Sequence, residues 1–197
     1  EAALIGFPTI EDGGKCVSEI IANGIIPAGM EMMDKALIHA TDNFVKAGYP
    51  RDAESMLIVE LDGTENEVDE LIERVSKIAK KNKSSSIKIS KNEKQRLKFW
   101  AGRKAAFPAC GDMAPDYYCM DGTIPRGKLA EVLKEIGRLS KKYNLPVANA
   151  FHAGDGNLHP LIMYDANEKN SLEKTEKFGA DILKYCVKIG GVLTGEH

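Results

Sequence analysis

Two histidines flank a short polar loop in the segment FHAGDGNLHP, with His152 before residues 153–157 and His159 after them. The glycine, aspartate and asparagine residues of that loop favour a turn, and the apolar residues on both sides predict two strands. In an antiparallel hairpin, directly opposed side chains lie on the same face about 5 Å apart. His152 and His159 are close enough to the loop to form such a pair, and two imidazoles at that spacing suit a metal ion.

A third ligand is available near the end of the sequence. Glu196 could complete a set of two histidines and one carboxylate, which leaves coordination positions open for a substrate. The histidine spacing alone does not decide the matter, because a structural interpretation fits as well. In that interpretation the two glycines serve only the turn, and Asp155 caps it.

Three other side chains could have either a structural or a chemical role. Arg103 follows Trp100 by three residues, so the two share one face of a predicted helix. Its guanidinium needs an anionic partner, either a structural carboxylate or the carboxylate of a substrate, and the residues alone favour the structural pair. His39 is predicted as a surface or core residue of an amphipathic helix, and Cys119 as a core residue of a strand.

The composition limits the class of protein. Of 197 residues, 43% are hydrophobic, and 27 basic residues face 29 acidic ones, which is typical of a globular domain and argues against a general nucleic-acid binder. Residues 74–98 carry ten basic residues and are predicted as a solvated face. The four cysteines form no CxxC pair and indicate reduced thiols of a cytoplasmic protein. The sequence has no apolar run of the ~18 residues that span a membrane.

Helical and strand patterns alternate along the sequence. An α+β fold is therefore predicted, with an antiparallel sheet, helices packed on one face and an order compatible with split β-α-β units of the ferredoxin-like type. A capping box, Thr64 with Glu67, starts one helix. Strands are predicted at residues 3–7, 56–61, 86–90, 116–121, 147–151 and 158–164, and further helices at 10–23, 91–107, from Pro125 onward, and 170–189.

Longer strings then carry a family resemblance. HAGDGNLH at 152–159 and GVLTGEH at 191–197 resemble the signature of the C-terminal domain of FAD-linked oxidases. GIIPAGMEMMD at 24–34, LIVELDG at 57–63, WAGRKAAFPA at 100–109 and DGTIPRGKL at 121–129 agree with it in order. The family includes D-lactate and D-2-hydroxyglutarate dehydrogenases, and the resemblance is greatest to its glycolate oxidases.

This resemblance implies that residues 1–197 form one ferredoxin-like cap domain over the substrate side of a flavin. The FAD itself would be bound mainly by an N-terminal domain of a longer chain, which agrees with the abrupt start and end of the sequence. The resemblance also implies a divalent metal, zinc, iron or manganese, on His152, His159 and Glu196.

Further roles come only from the resemblance. His197 corresponds to a histidine beside the substrate and flavin that acts as a base. Arg103 corresponds to an arginine that binds the substrate carboxylate, and Asn157 to a polar loop residue near the substrate. The sequence departs from the family at Cys119, where some members have a lysine, so substrate contacts inferred from those members do not carry over.

The implied function is oxidation of a small D-2-hydroxy acid, glycolate or D-lactate, to the 2-oxo acid. The alternative is a metal- or partner-binding module with no catalysis of its own. The resemblance also implies partner subunits of a glycolate oxidase complex. It places the protein in the cytoplasm, with membrane association through those subunits as a further expectation.

Overall fold

The computed structural model describes residues 1–194, which form one nine-stranded sheet and seven α-helices. The strands are β1 Ala2–Phe7, β2 Gly29–Asp34, β3 Ser55–Glu60, β4 Ser86–Ile89, β5 Asp116–Cys119, β6 Gly122–Thr123, β7 Val147–His152, β8 Asn157–Tyr164 and β9 Val192–Leu193. The helices are α1 Ile10–Ala22, α2 Lys35–Val45, α3 Glu65–Lys81, α4 Glu93–Lys104, α5 Ala106–Ala109, α6 Leu129–Tyr143 and α7 Ser171–Lys188.

The sheet is antiparallel throughout, in the order β4-β1-β3-β2-β7-β8-β6-β9, and β5 also pairs with β8. It consists of two halves with one plan. In the first half, β1-α1-β2 and β3-α3-β4 alternate strand and helix, and in the second half β6-α6-β7 and β8-α7-β9 do the same. The pairing of β2 with β7 joins the halves into one continuous sheet.

The four helices of this plan, α1, α3, α6 and α7, pack on one face of the sheet, as expected. Each contributes buried side chains to the larger core, among them Val17, Val75, Leu133 and Phe178. One detail differs from the expectation, because α2, α4 and α5 pack on the opposite face around a second core. The reason lies in strands that are apolar on both faces: in β1, Ile5 joins the larger core and Leu4 the second.

Local signals fixed several helix boundaries. The capping box of Thr64 and Glu67 is present at the start of α3. The helix expected over 91–107 is wrong in its second part, since α4 ends at Lys104 and Pro108 lies in the separate short helix α5. Pro125 precedes a 3-10 turn, Arg126–Lys128, and α6 follows that turn. Among residues 1–194, no helix is long and apolar enough to cross a membrane.

Candidate functional site

His152 ends β7, and His159 lies in the third position of β8. Direct opposition of the two is wrong: His152 faces Asn157 across the hairpin, and His159 faces Ala150. The two histidines are diagonal neighbours on one face, which still lets large side chains meet. Their ring centroids are 5.0 Å apart and the rings meet edge to face, at 89°.

The hairpin loop depends on a glycine for a backbone reason. Gly156 has a φ of 78°, in the left-handed region, and a side chain there would collide with the carbonyl of Ile124. The amide of Ile124 also donates to the carbonyl of Gly156, at 2.9 Å. This glycine therefore serves the turn whether or not the histidines bind a metal.

Each histidine contacts a carboxylate through the same ring nitrogen. Nδ1 of His152 lies 2.6 Å from Oε1 of Glu31, and Nδ1 of His159 lies 2.5 Å from Oδ1 of Asp121. A carboxylate accepts, so Nδ1 donates in both rings, and the neutral form of each imidazole then has its lone pair on Nε2. Histidines that bind metals usually have this second contact, because it fixes the tautomer and the ring orientation.

Glu31 is a member of this group that the sequence analysis missed. It lies in β2 directly opposite His152, and its second oxygen, Oε2, accepts from Nε of Arg103 at 2.9 Å. The signal was present, because Glu31 is a charged residue within the Met-rich strand GMEMMD, and charged side chains are rarely buried without a partner. Its partners could not be read from that signal.

Arg103 lies in the last turn of α4 and is 9% exposed, against 8% for Glu31. The structural pair that the residues favoured is thus present. Within residues 1–194 the guanidinium of Arg103 donates from Nε to Glu31, so its two terminal nitrogens can address another anion. Trp100 bonds a different carboxylate, that of Glu60, through its ring nitrogen. A role for Arg103 at a substrate carboxylate stays a prediction.

Cys119 lies at the end of β5, partly buried against the second core, near the expected position. It forms a cluster with Asp121 and His159 in which one ligand atom from each lies within 4.8 Å of the others. Burial, with the nearby charge of Asp121, raises the pKa of the Cys119 thiol to about 12. The thiol is therefore protonated near neutral pH, and it would have to lose that proton to bind a metal.

The remaining predicted residues divide into three cases. Asn157 is buried and shares the sheet face of His152, so it belongs to the same group of side chains. His39 lies apart on α2, where its Nε2 is 2.7 Å from the carbonyl of Arg51. Glu196 and His197 lie outside the described residues. The ligand role of Glu196, the base role of His197 and the substrate role of Asn157 stay predictions.

The site thus lies on one sheet face where the two halves meet, and it combines two oriented imidazoles with a buried arginine–glutamate pair. The whole chain, residues 1–197, matches the model of the family described as FAD linked oxidases, C-terminal domain. The chain belongs to this family, which confirms the resemblance seen in the sequence.

Curated relatives agree with this assignment. The chain is 54% identical over 194 residues to glycolate oxidase subunit GlcD of Escherichia coli K12, an alignment that covers 98% of this chain and 39% of that protein. It is 32% identical to glycolate oxidase subunit GlcD of Bacillus subtilis, over 97% of this chain and 41% of that protein. It is 28% identical to a mitochondrial D-lactate dehydrogenase [cytochrome] of Arabidopsis thaliana, over 99% and 34%. The chain spans about two-fifths of the length of these relatives.

Solved structures support the fold alone, because their sequence identities are low. p-Cresol methylhydroxylase with substrate bound matches with a TM-score of 0.70 and 15% identity, over 98% of this chain and 44% of that one. 4-Ethylphenol oxidase from Gulosibacter chungangensis matches with a TM-score of 0.69 and 13% identity, over 96% and 44%. The α+β fold with an antiparallel sheet is confirmed.

Proposed function

We propose that this chain is the substrate- and metal-binding cap domain of a flavin-dependent dehydrogenase that oxidises a small D-2-hydroxy acid to the 2-oxo acid. The observation that carries the proposal is the pair of histidines, 5.0 Å apart, each bonded through Nδ1 to a carboxylate. Glycolate and D-lactate are the two substrates we consider, since the relatives are named for glycolate oxidase and for D-lactate dehydrogenase.

The residues fit a divalent metal. His152 and His159 would hold it through Nε2, and Glu196 would supply the carboxylate, with zinc, iron and manganese as the candidates. A metal held there would supply Lewis-acid polarisation of the substrate hydroxyl, and FAD, held mainly by the rest of a longer protein, would supply the hydride acceptor.

The other residues of the chain would bind and orient the substrate. Arg103 offers its terminal nitrogens to the substrate carboxylate, and Asn157 offers a polar contact on the same sheet face. His197, next to a proposed ligand, would take the proton of the hydroxyl as general base. Two of the relatives are subunits by name, so the proposal includes partner subunits of a glycolate oxidase complex and cytoplasmic or membrane-associated placement through them.

The test uses the full-length protein that contains this chain. We expect glycolate or D-lactate to bleach the flavin absorbance, while L-lactate does not, and elemental analysis to find one divalent metal. His159→Ala should remove the metal and lower turnover by more than the roughly 10- to 100-fold loss typical of an outer-shell change.

His39→Ala is the matched control, because this histidine lies on α2 and its Nε2 contacts the carbonyl of Arg51 and not a carboxylate of the site. It should keep both metal and turnover. A protein that holds FAD and metal but is reduced by no 2-hydroxy acid would contradict the proposal and favour a binding module without catalysis.

A further inference from the structure

We propose that Glu31 is a positioning residue that holds the substrate-binding side chain, Arg103, and the metal-binding side chain, His152, in a fixed relation. The inference rests on the proposed function, and it concerns a residue for which no role follows from the resemblance.

Both oxygens of the Glu31 carboxylate are in use. Oε1 lies 2.6 Å from Nδ1 of His152, and Oε2 accepts from Nε of Arg103 at 2.9 Å. Glu31 and Arg103 are almost fully buried, and His152 is partly exposed. A buried carboxylate is tolerated when an opposite charge and hydrogen bonds compensate it, and this one has both.

The sheet determines where the carboxylate lies. Glu31 belongs to the first half of the fold and stands opposite His152 of the second half, in the β2–β7 pairing that joins them. A shift of one residue in that pairing would turn Glu31 to the other face, so the register fixes its side chain on the site. Arg103 reaches it from α4, on the same face of the sheet.

Two consequences follow for the site. The carboxylate keeps the proton of His152 on Nδ1, and therefore the lone pair on Nε2, where a metal would bind. It also holds the guanidinium through Nε, a contact that leaves the terminal nitrogens to address a substrate carboxylate. One side chain thus sets the relation between the two groups that would bind the two ends of the substrate.

Glu31→Gln, made in the full-length holoenzyme, tests this directly. An amide presents one oxygen and one NH₂ group, so it can accept from Arg103 or from His152 but not from both. With the oxygen toward Arg103, the NH₂ group donates to Nδ1 of His152 and moves the ring proton to Nε2. We expect zinc affinity, titrated into metal-stripped protein, to fall roughly 10- to 100-fold, and the KM for the hydroxy acid to rise about tenfold.

Two variants give the comparison. Asp121→Asn alters the partner of His159 but not that of Arg103, so it should weaken zinc binding but raise the KM measured at saturating metal less than Glu31→Gln does. Glu54→Gln removes an exposed ion pair with Lys35 and should change neither value. Nitrogen-15 spectra of labelled histidine should show the His152 tautomer change in metal-free Glu31→Gln and in neither of the others.

Native zinc affinity and KM in Glu31→Gln would overturn the inference, provided that His159→Ala loses zinc. If His159→Ala also keeps zinc, the metal site itself is wrong and the proposed function fails with it. Should Glu31→Gln not fold, Glu31→Asp retains the charge but is one methylene too short to reach both partners. It is expected to lose either zinc affinity or substrate affinity, and native values for both would overturn the inference.

Discussion

The two halves of the sheet share an element order but differ in what their strands carry. In the first half, β1 and β3 are almost wholly buried and apolar, and α2, α4 and α5 close the face opposite the four shared helices. In the second half, β7 and β8 place His152, Asn157 and His159 on that same face. The plan of the fold is therefore used twice, and the two halves differ in the side chains that they place on this face.

The two halves are joined where β2 pairs with β7. The β2–β7 pairing brings Glu31 opposite His152, and the larger core runs through both halves without interruption. The first half thus supplies Glu31 and, from α4, Arg103. The group of side chains forms only when both halves are in register, and because the two halves also share one core, their folding should be coupled.

The largest effect is expected on the free energy of unfolding, when a buried ring is removed from either half. Phe7 of β1 and Phe151 of β7 are both fully buried in the larger core, one in each half. Phe7→Ala and Phe151→Ala should each lower the free energy of unfolding by ~3–5 kcal/mol, the usual result of removing a buried ring. Because the core is continuous, both variants should shift one common transition when urea unfolding is followed by fluorescence and circular dichroism.

Phe44→Ala is the control, since this ring is 52% exposed on α2 and its removal should change stability by less than about 0.5 kcal/mol. Two separate transitions, each sensitive to only one of the buried phenylalanines, would contradict coupled folding. The halves would then be independent folding units that merely touch at the site.

A smaller effect on stability is expected from a second polar contact between β2 and β7. Asp34, at the end of β2, accepts from the amide of Leu37 at 3.1 Å and from Nδ2 of Asn149 in β7 at 2.7 Å. Burial raises the pKa of this carboxyl from 3.8 to about 6, although both hydrogen bonds oppose the rise. The folded state therefore holds its proton more tightly than the unfolded state does.

This difference in pKa decides how the stability of the fold changes with pH. The contribution of Asp34 to stability is complete below about pH 4 and is lost as the pH rises through 6, by up to about 3 kcal/mol. Asp34→Asn should flatten that part of the curve of unfolding free energy against pH. The exposed Asp52→Asn should not. Parallel curves for the native protein and Asp34→Asn would show that this buried carboxyl does not titrate as described.

The sequence predicted those parts of the fold that depend on neighbouring residues. The apolar runs at 3–7 and 56–61 predicted two strands, the capping box predicted the start of α3, and the loop before His159 predicted the hairpin. All of these are present in the structure. The exact pairing across that hairpin needed the turn geometry, which sets Asn157 rather than His159 opposite His152. β6 and β9 have two residues each, too few for a pattern to show.

The carboxylates of the site could not be predicted for a different reason. Glu31 is 121 positions from His152, and Asp121 is 38 positions from His159. Strand pairing that crosses such distances depends on the whole topology, whereas the spacing of the histidines depends on one turn. Residue spacing identified the two histidines and Arg103, the resemblance gave them roles, and only the fold added the groups that orient them.

The smallest expected effect compares one thiol from each half. Burial is the main cause that raises the pKa of both Cys16 and Cys119 to about 12. Cys16 is a fully buried residue of α1 in the larger core, whereas Cys119 is partly exposed beside the site. Both should react slowly with iodoacetamide at pH 8, because the thiolate is the nucleophile. Between pH 8 and 10 the rate at Cys119 should rise about tenfold per pH unit with its thiolate fraction, whereas Cys16 should stay protected until the chain unfolds.

Mass spectrometry of the alkylated peptides separates the two, and alkylation of Cys119 at pH 8 at the rate of a free thiol would contradict the elevated pKa. If zinc added at pH 10 protects Cys119, the cluster of Cys119, Asp121 and His159 binds metal through the thiolate, and the chemistry of the second half extends beyond its two histidines.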